Sequence, residues 1–167
     1  MTFTIRAASA DDAGLLAPMV RALSLHERDP TGYLSEAGLA GVLAEGALEA
    51  LVAESGGRAI GYSLHHFGYE STYTAKGLYI VDLFVAEAHR RRGVGRALVG
   101  EVARLARARG GVFVWWTSKP GNTGAQAAYA RLGAFTEPVL APAVFDEAFD
   151  ALVAEATARR AAARSGS

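Results

Sequence analysis

The sequence predicts a mixed α/β (α+β) domain, with a central mixed sheet and helices on both faces. Three observations carry this. Along the 167 residues, apolar runs of strand length alternate with runs of helical spacing. The early strands, Ala47–Glu54 and Ala59–Phe67, flank the tight turn Ser55-Gly56-Gly57 and read as an antiparallel hairpin. The later ones, Leu78–Val85 and Val112–Thr117, are separated by a helix, so they form a strand–helix–strand unit.

The elements follow in order. Phe3–Ala7 is a first strand. Ser9 with Asp11 and Asp12 makes an N-cap and an acidic first turn. The helix then carries Leu15, Leu16, Met19, Val20 and Leu23 and runs to about His26. Pro18 inside it predicts a kink or an early break. Asp29-Pro30-Thr31-Gly32 is a turn, and Ser35 caps a second helix to about Glu45. After the hairpin, Glu70–Gly77 reads as a polar loop before the Leu78–Val85 strand. A basic turn follows, and then a helix from Ala97 to Arg109. Leu98, Val99, Val102, Leu105 and Ala106 share one face of that helix, and Gly110-Gly111 closes it. Val112–Thr117 is a short apolar strand. Asn122 to Leu132 is a helix ended by Gly133. Phe135 and Val139–Val144 read as the last strand material. Asp146 to about Ala163 is a helix with Phe149, Leu152 and Val153 on one face. No internal repeat or interdomain linker interrupts this, so residues 1–167 read as one domain.

Composition narrows the function. Half of the residues (51%) are hydrophobic and 20% are charged, which suits a globular chain rather than a disordered one. The net charge of zero argues against broad electrostatic binding to nucleic acid or membrane. The absence of cysteine excludes a disulfide framework, a thiolate nucleophile and a Cys-ligated zinc. His26, His65, His66 and His89 lack metal-ligand spacing, so no metal is expected. The N-terminus has no apolar signal core, and no apolar run reaches bilayer length. A cytoplasmic location is the expectation.

The most informative stretch is Arg90-Arg91-Arg92-Gly93-Val94-Gly95-Arg96, between a strand and a helix. A helix N-terminus presents unpaired N–H groups that bind anions. Arginines there oppose the macrodipole, and glycines cost roughly 1 kcal/mol each in a helix. A phosphate ligand accounts for both penalties; a solvated basic turn is the alternative. A P-loop requires Gly-Lys-Ser/Thr before its helix, whereas Gly95 is followed by Arg96-Ala97. A dinucleotide fingerprint requires a third glycine where Leu98 stands.

What remains is Arg-x-x-Gly-x-Gly after a strand. Here the chain resembles the GNAT superfamily of N-acetyltransferases, whose acyl-CoA signature is Gln/Arg-x-x-Gly-x-Gly/Ala. Arg90, Gly93 and Gly95 fill it. Upstream, Leu83-Phe84-Val85 resembles the family strand that pairs with the pantetheine arm. Downstream, Asn122 and Tyr129 are similar to a second family motif, an Asn followed seven residues later by a Tyr. On a helix these two lie two turns apart, on one face. The resemblance covers about Ile5 to Phe135. It implies a twisted, largely antiparallel sheet with helices on both faces, acetyl-CoA as co-substrate, and a homodimer.

The resemblance also implies site roles. The amides of Arg91 to Arg96 (Arg91, Arg92, Gly93, Val94, Gly95 and Arg96) would cradle the pyrophosphate, with arginine charge assisting. Leu83 and Val85 would hydrogen-bond the pantetheine as an added strand would. A bulge in that strand would leave those groups unpaired. Asn122 would bond the cofactor, although a helix N-cap explains it equally. Tyr129 would be the general acid, since a phenol is protonated at pH 7 and can donate to a departing thiolate. A primary amine near pKa 10.4 is neutral only about once in 2,500 at pH 7, a penalty of roughly 4.6 kcal/mol. Asp82 interrupts an apolar strand and is a candidate to relieve that penalty. Strict alternation puts it on the face of Ile80 and Phe84, opposite Leu83. Glu27, His65 and a water chain are the other candidate bases.

A narrower resemblance concerns Phe67 to Val85, where a Ser71-Thr72 loop leads into Tyr79-Ile80-Val81-Asp82-Leu83-Phe84-Val85. It is similar to the spermidine/spermine and thialysine N-acetyltransferase branch, as is Leu23–Glu27, whose acidic end lies near the branch's acceptor site. That implies a small primary amine, a diamine, polyamine or lysine-like molecule, with Glu27, Asp82 and Tyr33 as acceptor-binding candidates. The branch's paired Glu-Asp is here Val81-Asp82, which weakens the attraction for a polycation. The rival readings are a protein or peptide amine as acceptor, and an acyl-CoA-binding regulatory module without turnover.

Overall fold

The computed structural model describes residues 2–165. One sheet contains β1 (Thr4–Ala8), β2 (Glu49–Ser55), β3 (Arg58–Glu70), β4 (Ala75–Val85) and β5 (Phe113–Trp116), in that spatial order. The first four are antiparallel neighbours, and β5 joins β4 in parallel. The helices are α1 (Ala13–Glu27), α2 (Glu36–Ala44), α3 (Val94–Ala108), α4 (Thr123–Leu132) and α5 (Asp146–Ser165). Because α3 carries the chain from β4 back to the start of β5, those two strands can be parallel.

The chain forms two compact units, Met1–Leu132 and Gly133–Ser167. The first contains the sheet and α1 to α4. On one face, Leu16 of α1 and Leu39 of α2 cover Ala50, Val52, Tyr62 and Leu64. On the other, Leu98, Val102 and Ala106 of α3 cover Leu51, Ile60, Leu78 and Ile80, with Leu132 of α4 packed against them. The second unit holds α5, in which Phe149, Leu152 and Val153 are exposed. Among the described residues, no helix is long and apolar enough to cross a membrane.

Several elements differ from the sequence expectation. Pro18 neither ends nor splits α1. It removes one intrahelical bond, but fully buried Leu16, with Leu15, Met19, Val20 and Leu23 around the same core, outweighs that loss. Ser9 caps a single 3₁₀ turn, Ala10–Asp12, which leads straight into α1. The loop expected over Glu70–Gly77 is shorter, because β3 and β4 continue to pair as far as Glu70↔Ala75. The last strand is absent among the described residues: Phe135 and Val139–Val144 are irregular. Pro138 and Pro142 lack the N–H that a ladder requires.

Candidate active site

The site is built around the place where β4 and β5 part. Their pairing covers Gly77↔Phe113 to Ile80↔Trp116 and stops there. β4 runs five residues further, pairing only with β3. Opposite that break, the β3–β4 register jumps: His65 faces Ile80, whereas Leu64 faces Asp82. Val81 is therefore the extra residue of a β-bulge, which bends the strand and increases its twist. On the side facing away from β3, Leu83, Phe84 and Val85 lie beyond the last β5 partner.

The bulge corrects the face assigned to Asp82. Leu78 and Ile80 belong to the α3-side core, as do Leu83 and Val85, so the parity shifts at Val81. Asp82 lies on the α1 side with Phe84, opposite Leu83 as expected, but not with Ile80. Its carboxylate accepts a hydrogen bond from the Tyr62 hydroxyl at 2.9 Å. Burial raises the Asp82 pKa above the ordinary carboxylate value; the Tyr62 bond works against that rise, and nearby Asp29 adds to it. Tyr62 was not singled out from the sequence, because an apolar strand position gives no sign of a polar partner.

The basic turn precedes α3 directly. Gly93 is the N-cap, at φ 86° and ψ −6°, a left-handed conformation that glycine adopts without a Cβ penalty. Helix α3 begins at Val94, three residues earlier than the spacing suggested. The N–H of Ala97 donates to the Gly93 carbonyl at 3.0 Å, so those of Val94, Gly95 and Arg96 lie ahead of the first intrahelical bond. A Cβ built on Gly95 would meet only Val85 Cγ2, at an ordinary 3.7 Å. The protein itself does not demand a glycine there. Glu87, Ala88 and Arg90 to Arg92 line an open depression. Arg90 Nε donates to the Val85 carbonyl at 3.0 Å and ties the turn to the end of β4. Arg96 turns away and donates to the Arg131 carbonyl at the end of α4. These amides, the free strand edge and the arginines suit an acyl-CoA, with its two phosphates and amide-bearing arm.

The third part joins the end of α1 to the start of α4. Asn122 Oδ1 accepts from the Ala125 N–H at 3.1 Å and caps α4, while Asn122 Nδ2 donates to the Glu27 carboxylate at 2.7 Å. Lys119 Nζ donates to both the Glu27 carbonyl and the Asp29 carboxylate, each at 2.5 Å. Tyr129 stands edge-on to Trp116, ring centroids 5.1 Å apart. Burial holds its phenol above the ordinary value, with the Glu27 charge adding to the effect. Tyr129 is therefore protonated at neutral pH. The structure thus brings Glu27, Asn122 and Tyr129 together, with Asp29 linking them electrostatically to Asp82. Tyr33 is 82% exposed in the turn between α1 and α2.

His65 does not join them. It is fully buried beneath α3, with Nδ1 3.2 Å from Ser63 Oγ and Nε2 unpartnered. Burial lowers its pKa. Sealed in the core, it has no path to a substrate. Lys119 is the residue that sequence reasoning passed over. The available signal was compositional: the chain carries lysine at 76 and 119 and otherwise uses arginine.

The sheet thus opens between its two parallel strands, with a glycine-turned helix start at the opening. The sequence model of the Acetyltransferase (GNAT) family matches residues 19–134, and the chain belongs to that family. A thialysine N-epsilon-acetyltransferase from Sus scrofa is 32% identical over 117 residues, 64% of this chain and 68% of its own length. The enzyme of that name from Bos taurus is 29% identical over 141 residues, 78% of this chain and 82% of its own length. Among solved structures, an aminoglycoside acetyltransferase from an uncultured soil metagenomic sample superposes with a TM-score of 0.71 at 25% identity. That match covers 87% of this chain and all (100%) of the other. The protein is an acetyl-CoA-dependent N-acetyltransferase that transfers acetyl to an amine.

Proposed function

We propose that the acceptor is a primary amine of a small molecule, a diamine, polyamine or lysine-like compound, acetylated by direct attack within a ternary complex. The observation that carries this reading is the clustering of Asp82, Asp29, Glu27 and Tyr129 where β4 and β5 separate. A carboxylate cluster attracts a small cation, and a protonated phenol close by suits the leaving thiolate. The similarity to the thialysine acetyltransferases supports a lysine-like acceptor.

The roles follow from chemistry. Leu83 to Val85 would hold the pantetheine amides along the free strand edge. The N–H groups of Val94, Gly95 and Arg96, with Arg91 and Arg92 for charge, would hold the pyrophosphate. The neutral amine attacks the thioester carbonyl; the C–N bond forms and the C–S bond breaks. Asp82, whose raised pKa makes it a better base than an ordinary carboxylate, takes the amine proton directly or through water. Tyr129 donates its proton to the departing thiolate.

The test is a free-thiol release assay with acetyl-CoA against putrescine, spermidine, lysine, thialysine and lysine-containing peptides. Turnover on a small amine, lost in Tyr129→Phe, supports the reading. Turnover on peptides alone overturns the small-molecule acceptor. Tight acetyl-CoA binding without turnover on any amine of the panel counts against this acceptor class.

A further inference from the structure

The Lys119 ammonium is itself a primary amine on a flexible four-carbon stem, held among the acceptor-side carboxylates. One partner is the Asp29 carboxylate. The other is the carbonyl of Glu27, the last residue of α1. That carbonyl is at the negative end of the helix dipole. Arg28 turns left-handed at φ 59°, and the backbone N–H groups of Arg28 and Asp29 close the helix on the Leu25 and Ser24 carbonyls instead. The Glu27 carbonyl is thereby directed to Lys119. Both side chains of the ion pair are half exposed, at 49% each, and an exposed pair of this kind contributes little to stability. It can be exchanged.

The chemistry of this position selects one part of an acceptor. The reacting nitrogen must be neutral when it attacks. A carboxylate and a helix-end carbonyl stabilise the charged form instead. The position suits an ammonium that stays protonated throughout the reaction, within electrostatic reach of Asp82 through Asp29.

We propose that Lys119 stands in for the second, non-reacting ammonium of the acceptor. The Asp29 carboxylate and the Glu27 carbonyl form a cation subsite, which the distal ammonium of a diamine takes over from Lys119. This deepens the small-amine reading and rests on it. The free enzyme carries its own weak competitor, and acceptors with two cationic groups gain over monoamines only by displacing it.

The experiment compares 1,5-diaminopentane with n-pentylamine, which share a carbon chain and differ in the second cation. Three variants are used: Lys119→Met, Lys119→Arg and Asp29→Asn. The readout is the ratio of kcat/KM for the diamine to that for the monoamine. The ratio should rise about three- to tenfold in Lys119→Met, where the competitor is gone and Asp29 is free. It should fall by a similar factor in Asp29→Asn and stay near wild type in Lys119→Arg. If Lys119 merely pins two loops, both amines suffer alike, and an unchanged ratio in Lys119→Met overturns the proposal. Titration calorimetry with 1,5-diaminopentane, in the presence of CoA, is read in parallel. Should wild type acetylate neither amine, the small-amine reading fails by itself. Tighter diamine binding to Lys119→Met and weaker binding to Asp29→Asn still supports the subsite, and equal or absent binding in all three overturns it.

Discussion

At the scale of single residues, Tyr129 and Asp82 carry the sharpest consequences. A positioned general acid contributes about 10²- to 10⁴-fold, so Tyr129→Phe should lose that much kcat while KM for acetyl-CoA stays near wild type. Asp82 is held between burial, which raises its pKa, and the Tyr62 hydroxyl, which lowers it. Tyr62→Phe removes the lowering contact, and the acidic limb of the pH–rate profile should move to higher pH. In Asp82→Asn that limb should vanish. His65 has a different consequence, for stability. Its native pKa lies below the ordinary histidine value because it is buried, so the unfolded chain binds a proton that the native state resists. Its contribution is complete above the unfolded value of about 6.5 and is lost as pH falls below that toward the lower native pKa. The urea midpoint should drop between pH 7 and pH 5, and the drop should shrink in His65→Gln. The two groups also differ in how legible they were. That Asn122 heads the helix carrying Tyr129 could be read because helical spacing is a local property, while their roles were implied by the family resemblance. Asp82's bond to Tyr62 spans two strands, and Lys119's bonds span some ninety residues. No local pattern announces pairs of that kind.

At the scale of elements, the turn between β4 and α3 distinguishes two uses of glycine. Gly93 sits at positive φ, where a Cβ costs roughly 1–2 kcal/mol. Gly95 is helical, and an added methyl meets only an ordinary contact. Gly93→Ala should therefore destabilise by about 1–2 kcal/mol, and Gly95→Ala should stabilise by up to about 1 kcal/mol through helix propensity. Paired chemical denaturation curves would check the opposite signs. The strand–turn–helix order and the C-terminal end of α3 were readable because glycines and periodicity are written in the chain, whereas the helix start lay three residues before the spacing suggested. A bulge in β4 was implied by the family resemblance, but its position at Val81 was not readable. It is set by how β3 and β4 register, and a single skipped residue reversed the face expected for Asp82 relative to Ile80. The strand expected near Val139 failed for a related reason. Its apolar residues matched the pattern, but Pro138 and Pro142 each remove a ladder donor.

At the scale of the whole molecule, among the described residues β4 has no strand partner on its β5 side over Val81 to Val85, where the Val85 carbonyl accepts from Arg90. The fold class was legible because hairpin and crossover connections each imply a strand direction. The opening itself was foreshadowed only by family resemblance. Its physical consequence extends beyond catalysis. An open strand edge is a template for other chains, so the protein's own colloidal behaviour should depend on its co-substrate. A ligand that binds only the native state stabilises by about 2.7 kcal/mol at a hundredfold excess over Kd. Stored without CoA, the purified protein should cloud slowly and melt early. With CoA, light scattering should stay flat and Tm should rise by several degrees. Glu or Lys at Val81, already half exposed, should keep the solution clear without any ligand, by placing a charge where a foreign strand would dock.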